Sequence, residues 1–388
     1  MRRPGRYRGE TVTDLDDVRT PFLAVDRSTV QANVDRLRAR LDRLGAGLRP
    51  HLKTAKSVEV AGLLHDGEQG PITVSTLAEA EAFADAGYRD ILYAVGIAPD
   101  KLGRVVDLRQ RGVDLAVLLD SVEQATALAA ERTGLAGIPA LIEVDCDGHR
   151  GGVRPDDPTL VEIGQALRDG RAELRGVLTH AGESYFADGD GELRAAAENE
   201  RRCAVLAAER LRAAGHEVPV VSVGSTPTAH FATDLTGVTE VRAGNFVFFD
   251  LVMAGIGVCT VADLAMSVVT TVIGHRPDKG WILTDGGWMA TSRDRGTSRQ
   301  RVDQAYGLVG DLDGTLYEDL LMSDASQEHG ILSIRPGSTA SLPDIPIGAK
   351  VRILPVHACA TAAQHDRYHV IEPGSRTVWD IWTRIRGW

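Results

Sequence analysis

The sequence predicts an α/β chain in which a (β/α)8 barrel of TIM type is followed by a C-terminal, mostly antiparallel β domain. Three observations carry this. Between Gly47 and Phe246 eight short apolar runs recur, most separated by a helical pattern, as a parallel sheet buried on both faces requires. No Gly-x-Gly-x-x-Gly turn follows the first run, which weighs against an open doubly wound sheet, the alternative with the same alternation. From about Val261 the texture changes to short alternating segments divided by turn residues.

Taken in order, PFLAVD (21–26) reads as a strand. Ser28 reads as the N-cap of a helix to about Leu44, with Val30, Val34, Leu37, Leu41 and Leu44 near helical spacing and Gly45 and Gly47 as its stop. GLRPHLKT (47–54) is the first strand of the alternating set. Strands at 71–76, 90–95, 113–119, 139–145, 174–180, 218–224 and 238–246 follow, with helices between most of them, the longest near Glu192 to Ala214. Later come Ser267 to Ile273, Trp281 to Thr284, Ile331 to Ile334 and Lys350 to Pro355. The expected division is an arm at 1–20, a candidate to pack with the β domain, a barrel at 21–258, and a β domain at 259–388.

At 388 residues and 43% hydrophobic, the chain exceeds one ordinary core, in keeping with two domains. A formal net charge of -11 with no basic face argues against a nucleic-acid partner and for small molecules. Cys146, Cys203, Cys259 and Cys359 lie far apart with no Cys-x-x-Cys, so a reducing cytoplasm is expected rather than a disulfide framework. The basic start, Met1 to Arg8, lacks the apolar stretch of a signal peptide, and no apolar run is long enough to span a bilayer.

If the first domain is a barrel, its site lies at the carboxyl ends of the strands. Lys53 sits there, flanked by Arg49, His51 and Lys56, where neighbouring positive charge and partial burial lower an amine's pKa as a Schiff-base lysine requires. A covalently held pyridoxal phosphate is the leading expectation, and an exposed loop lysine the bland one. His180 ends another strand. Gly224-Ser225-Thr226, ahead of Pro227, combines small residues with a helix start suited to a phosphate, or is a plain capped turn; Gly244-Asn245 after the next strand offers a second backbone approach. In the loop Asp145 to Val153 the glycines suggest a tight turn that aims Arg150 across the mouth at a pyridine nitrogen, with a surface ion pair as the alternative. His357 and Cys359, two apart after a strand, share a face and suit zinc in an open site; a buried Cys beside a hydrogen-bonded His is the structural alternative. Glu328-His329 and His365-Asp366 are further polar candidates without fixed roles.

Seven runs occur in one order: RPHLKTAK, DCDGHRGGV, THAGESY (Thr179 to Tyr185), VGSTPT, EVRAGNFVFFD (Glu240 to Asp250), SQEHG and PVHACAT. Together they closely resemble the D-serine dehydratase and D-threonine aldolase family of fold-type III pyridoxal-phosphate enzymes, relatives of alanine racemase. The resemblance spans Thr20 to about Tyr368. It implies an N-terminal barrel, a C-terminal β domain and a homodimer. By motif match it implies Lys53 as the Schiff-base lysine, Arg150 at the pyridine nitrogen, and His180 and Tyr185 lining the cofactor. Gly224, Ser225, Thr226, Gly244 and Asn245 would hold the phosphate, and His357 with Cys359 would bind Zn2+, Mn2+ or another divalent ion. Two departures stand out: Ala55 where the family usually has His, and Phe246 where Tyr is frequent. The implied substrates are D-configured β-hydroxy amino acids. His-x-Cys resembles the dehydratase branch, so dehydration of D-serine or a related 3-hydroxy-D-amino acid ranks first and aldol cleavage to glycine and an aldehyde second. A racemase or a non-catalytic pyridoxal-phosphate carrier are the remaining alternatives.

Overall fold

The computed structural model describes residues 13–131, 137–170 and 172–388. The chain forms two compact units, one made of the residues up to Val34 with Asn245–Arg384, the other of Asp35–Gly244 with Ile385–Trp388. Most of the expected arm lies outside the described residues.

The second unit holds one eight-stranded parallel sheet in the order Gly47–Leu48, Glu240–Val241, Val220–Val223, Glu173–Thr179, Pro139–Val144, Asp114–Leu119, Asp90–Gly96, Ile72–Val74. All eight expected strands are there. The two outer members of that order are linked as well: His51 bridges Thr73 in parallel, with Leu52 N donating to Thr73 O at 2.8 Å and Thr73 N to Pro50 O at 2.9 Å. The first strand is much shorter than GLRPHLKT because Pro50 removes a donor and the chain turns at Leu52, so Lys53 stands on a turn. The last is cut to Glu240–Val241, with a 3-10 turn at Asn245–Val247. Leu92, Ala116, Leu118, Leu141 and Leu178 form one apolar cluster among the strands. Helices enter with side-chain caps, as at Thr76 and Ser121, which accept from Glu79 N and Gln124 N.

The other unit contains a closed ring of six strands, Trp281–Thr284, Gly330–Ile334, Leu316–Ala325, Gly307–Gly310, Lys350–Pro355 and Met266–Arg276, the last pairing back with the first. Phe22–Asp26 was expected inside the barrel region 21–258. It pairs instead with Met266–Val269 antiparallel and with His369–Ile371 in parallel. A strand covered on both flanks reads as a continuous apolar run in either kind of sheet, which is why FLAV gave no warning. Thr13–Asp14 pairs with Thr377–Val378, and Leu15 joins Phe22, Val269, Ile371 and Val378 in a core cluster, so the described end of the arm belongs to this unit. The first long helix runs Arg27–Leu44, and its cap is Asp26, accepting from Thr29 N at 2.9 Å, rather than Ser28.

Candidate active site

Parallel strands end on one side, and in the second unit that side gathers Lys53, the loop Asp145 to Gly152, His180, the Gly224 turn and Arg242. Of the cations expected to flank Lys53, Arg49 points elsewhere. Its guanidinium grips Glu240 (Nε to Oε2, 2.7 Å) and Asp90 (Nη1 to Oδ1, 2.7 Å), residues at the amino ends of their strands. Lys56 pairs with the buried Glu79 at 3.4 Å. His51 alone of the three stays with Lys53, its Nδ1 3.4 Å from the Lys53 backbone N. Ala55 is buried.

Two histidines share this pocket and both are held neutral. Burial, then the charges of Lys53 and Arg242, push the pKa of His51 well below the usual histidine range. Burial, Lys53 and Arg150 do the same to His180, whose Nδ1–H donates to Gly224 O at 2.9 Å. That bond fixes the tautomer and leaves Nε2 as an acceptor. Tyr185 stands beside it, ring centroids 6.2 Å apart. Arg150 is half-exposed and loosely paired with Glu143 (3.6 Å), whose carboxyl burial raises. Its loop is locked by Gly152 N donating to Asp120 Oδ2 at 2.9 Å.

Sequence reasoning missed three residues here. Arg242 is 4% exposed, its guanidinium donating to Thr179 O, and burial brings its pKa down to about 10 against the pull of Glu200, Glu240 and Glu143. Glu143 and the buried Glu200 are the carboxylates that answer it. Each sits in an apolar strand or helix pattern where a single charge is invisible to periodicity; the signal was a charged residue on a core-facing position.

The turn expected to receive a phosphate is built for close packing. A Cβ on Gly224 (φ +142°) would lie 1.9 Å from Arg242 O, and one on Gly244 2.6 Å from His51 O. Ser225 caps the helix Thr226–Phe231 in a reciprocal box with Thr228 and also bonds Ser184 Oγ at 2.9 Å, so its hydroxyl is committed. The Thr226 hydroxyl is buried without a hydrogen-bond partner, as is Asn245 Oδ1, the Asn245 amide donating to Asp250 Oδ2 at 2.5 Å.

In the other unit the strand stops at Pro355, so His357 and Cys359 do not alternate along a strand: His357 is the N-cap of the helix Ala358–Ala362 and Cys359 lies in its first turn. They still meet, through a side-chain hydrogen bond. Asp294 Oδ2 stands 2.5 Å from His357 Nδ1. Burial opposes a charge on His357, but Asp294 and Cys359 more than offset it, and its pKa is pushed up to about 11. Asp250, buried, accepts from Met253 N at 3.0 Å and Ala358 N at 2.9 Å and so holds the start of that helix. Asp294 and Asp250 went unassigned because nothing in sequence spacing ties them to His357. His365 Nε2–H donates to Ala290 O at 2.9 Å, and Glu328 and His329 are exposed. Among the described residues no group of three metal-binding side chains forms.

The chain matches the alanine racemase N-terminal domain family over residues 25–252 and the putative serine dehydratase domain family over residues 265–371. It is 51% identical to a D-threo-3-hydroxyaspartate dehydratase of Delftia sp. over 98% of its own length and 100% of the relative's. It is 28% identical to a D-threonine aldolase of Arthrobacter sp. over 95% of this chain and 92% of that one. The same dehydratase has been solved as a cysteine-to-alanine mutant in the metal-free form, a structure that superposes with a TM-score of 0.93 at 50% identity and covers 97% of this chain and 100% of that one. A histidine-to-alanine mutant has also been solved, and the two mutated positions are two residues apart, the spacing of His357 and Cys359. The chain is a lyase and belongs to the D-serine dehydratase and D-threonine aldolase family.

Proposed function

We propose that this chain is a pyridoxal-phosphate- and divalent-metal-dependent dehydratase of D-configured 3-hydroxy amino acids, with D-threo-3-hydroxyaspartate first among them and D-serine second. The observation that carries the reading is the pairing, in one chain, of Lys53 among neutral histidines and arginines with a His-x-Cys pair oriented by Asp294. The full-length identity to a dehydratase supports it and sets the order of substrates.

We read the parallel sheet as a closed (β/α)8 barrel, joined at the His51–Thr73 bridge, that carries the cofactor, and the antiparallel unit as the bearer of the metal. The residues fit both groups. The mouth offers Lys53, Arg150 and Arg242 to an anionic ligand, and the Thr226 hydroxyl is a buried donor in want of an acceptor. His357, with one ring nitrogen on a carboxylate, has the arrangement that orients a metal-ligating imidazole. Bound pyridoxal phosphate supplies an electron sink for Cα, and a divalent ion supplies Lewis acidity for a departing hydroxyl.

Lys53 would hold the cofactor covalently and, once freed, Lys53 Nζ takes the Cα proton, as β-elimination demands. Arg150 would face the ring nitrogen, which it keeps unprotonated because a guanidinium only donates. His180 Nε2, an acceptor, and Tyr185 would line the ring; Gly224, Ser225, Thr226, Gly244 and Asn245 would surround the phosphate, with the Thr226 hydroxyl as its side-chain donor. His357 and Cys359 would ligate the metal. Loss of water from the 3-hydroxy acid would leave an enamine that tautomerises to an imine, and one water hydrolyses the imine to the oxo acid and ammonia. The aldol alternative needs a base on the hydroxyl proton instead and releases glycine. A homodimer in a reducing cytoplasm completes the reading. Lys53→Ala tests its foundation: the visible absorbance of the lysine-linked cofactor should vanish, and an unchanged spectrum would move the cofactor to another lysine.

A further inference from the structure

The long helix Asp190–Ala213 packs through Leu193, Ala197, Ala204, Ala207, Ala208 and Leu211, a stripe in which one charged residue, Glu200, is buried at 2% exposure. A carboxylate in that position costs desolvation and is retained only where it is hydrogen-bonded. One of its oxygens, Oε1, accepts from Ala181 N at 2.8 Å and from Gly224 N at 3.0 Å. These amides belong to the two loops that meet at the mouth: Ala181 follows His180, and the Gly224 carbonyl is the acceptor of His180 Nδ1–H. The bonds form a closed circuit, Glu200 to Gly224 to His180 to Ala181 and back to Glu200.

We propose that Glu200 is a positioning residue that sets the register between His180 and the Gly224–Thr226 turn, so that a ligand spanning both finds them at one fixed separation. This rests on the pyridoxal-phosphate reading above. A single oxygen serving two amides ties the separation of the loops to the length and aim of the Glu200 side chain. A ligand that touches both loops then depends on Glu200, whereas a fragment that touches one does not.

The test is an absorbance titration of apo-protein with pyridoxal phosphate and with pyridoxal, and a competition titration with inorganic phosphate, for wild type, Glu200→Gln, Glu200→Asp and Glu200→Ala. Two orphaned amides in Glu200→Ala should weaken pyridoxal phosphate at least about tenfold, while pyridoxal and phosphate alone change less than about threefold. Glu200→Gln, whose amide oxygen can accept both bonds, should stay within about threefold of wild type for all probes. Glu200→Asp keeps the charge, is one methylene too short, and should behave like the alanine variant; it carries the test if that variant fails to fold. Equal losses for all three probes would mean general unfolding of the mouth and overturn the proposal, as would no loss in Glu200→Asp or loss in Glu200→Gln. If wild type takes up no pyridoxal phosphate, the functional reading falls and this inference with it; normal uptake by wild type and Glu200→Asp alike sinks the inference alone.

Discussion

Replacing Gly224 by alanine should dismantle the mouth from its most crowded point. The backbone there has φ +142°, and a Cβ would lie 1.9 Å from Arg242 O and 2.6 Å from Arg242 N. Neither neighbour is the loose end of a side chain. Arg242 N donates to Val223 O at 2.7 Å, so relief would have to open the sheet between adjacent strands. Forcing volume into such a site costs about 1–3 kcal/mol, and holding a residue in a sparsely populated backbone region about 1–3 more, giving roughly 2–6 kcal/mol together. Gly189 is the control. It also has positive φ, +89°, but nothing lies within 4 Å of its Cβ position, so alanine there should cost only the backbone share, about 1–3 kcal/mol. The assay is a thermal melt of both variants, with the cofactor absorbance followed in parallel. At about 2–4 °C per kcal/mol for a unit of this size, Gly224→Ala should melt about 4–24 °C lower, and it should bind the cofactor at least about tenfold more weakly because the carbonyl that holds His180 has moved. Indistinguishable behaviour of the two variants would refute the argument that close approach, and not backbone freedom, demands glycine at 224.

Asp294→Asn should lower metal content and affinity about 10–100-fold by removing the carboxylate on His357, with the cofactor absorbance intact; elemental analysis after dialysis against chelator checks it. Arg49→Met should leave the cofactor spectrum unchanged, since Arg49 faces Asp90 and Glu240, yet should cost about 3–5 kcal/mol in denaturant unfolding by leaving the 13%-exposed Glu240 side chain, which also accepts from Ser222 Oγ, without the Arg49 charge. His51 and His180 have folded pKa values below the unfolded 6.5, so between those values the unfolded chain binds more protons. Their contribution is complete above pH 6.5 and is lost as pH falls, by up to about 1.4 kcal/mol per pH unit for each, and His180→Asn should flatten the slope seen in denaturant titrations of apo-protein between pH 7.5 and 5.5.

Local pattern made much of this architecture legible. Most of the eight parallel strands were visible as short apolar runs buried on both faces, and Trp281–Thr284 and Lys350–Pro355 of the antiparallel unit because they alternate. Phe22–Asp26 was misplaced because its apolar run is the same in either sheet and only its long-range partners decide. Lys53, His180 and the Gly224 turn follow the carboxyl ends of parallel strands, yet the partners around them were not legible. Arg49 lies four residues before Lys53 yet serves the amino-terminal side of the sheet, because the chain turns at Leu52 and its partners, Asp90 and Glu240, begin two other strands. His357 and Cys359 were paired for a reason, strand alternation, that a helix start replaces. Arg242, Glu143, Glu200, Asp250 and Asp294 are second partners whose roles come from contacts between segments far apart in the chain, and no spacing rule reaches them.

The most direct test of the central claim is product identification from the metal- and pyridoxal-phosphate-loaded enzyme given D-threo-3-hydroxyaspartate, D-serine and D-threonine in separate reactions. The expected products are an oxo acid and an equal amount of ammonia, formed fastest from the hydroxyaspartate, with no glycine. Glycine and an aldehyde as the main products would contradict dehydration in favour of aldol cleavage, and no turnover of any of the three would contradict the lyase assignment to D-configured 3-hydroxy amino acids altogether.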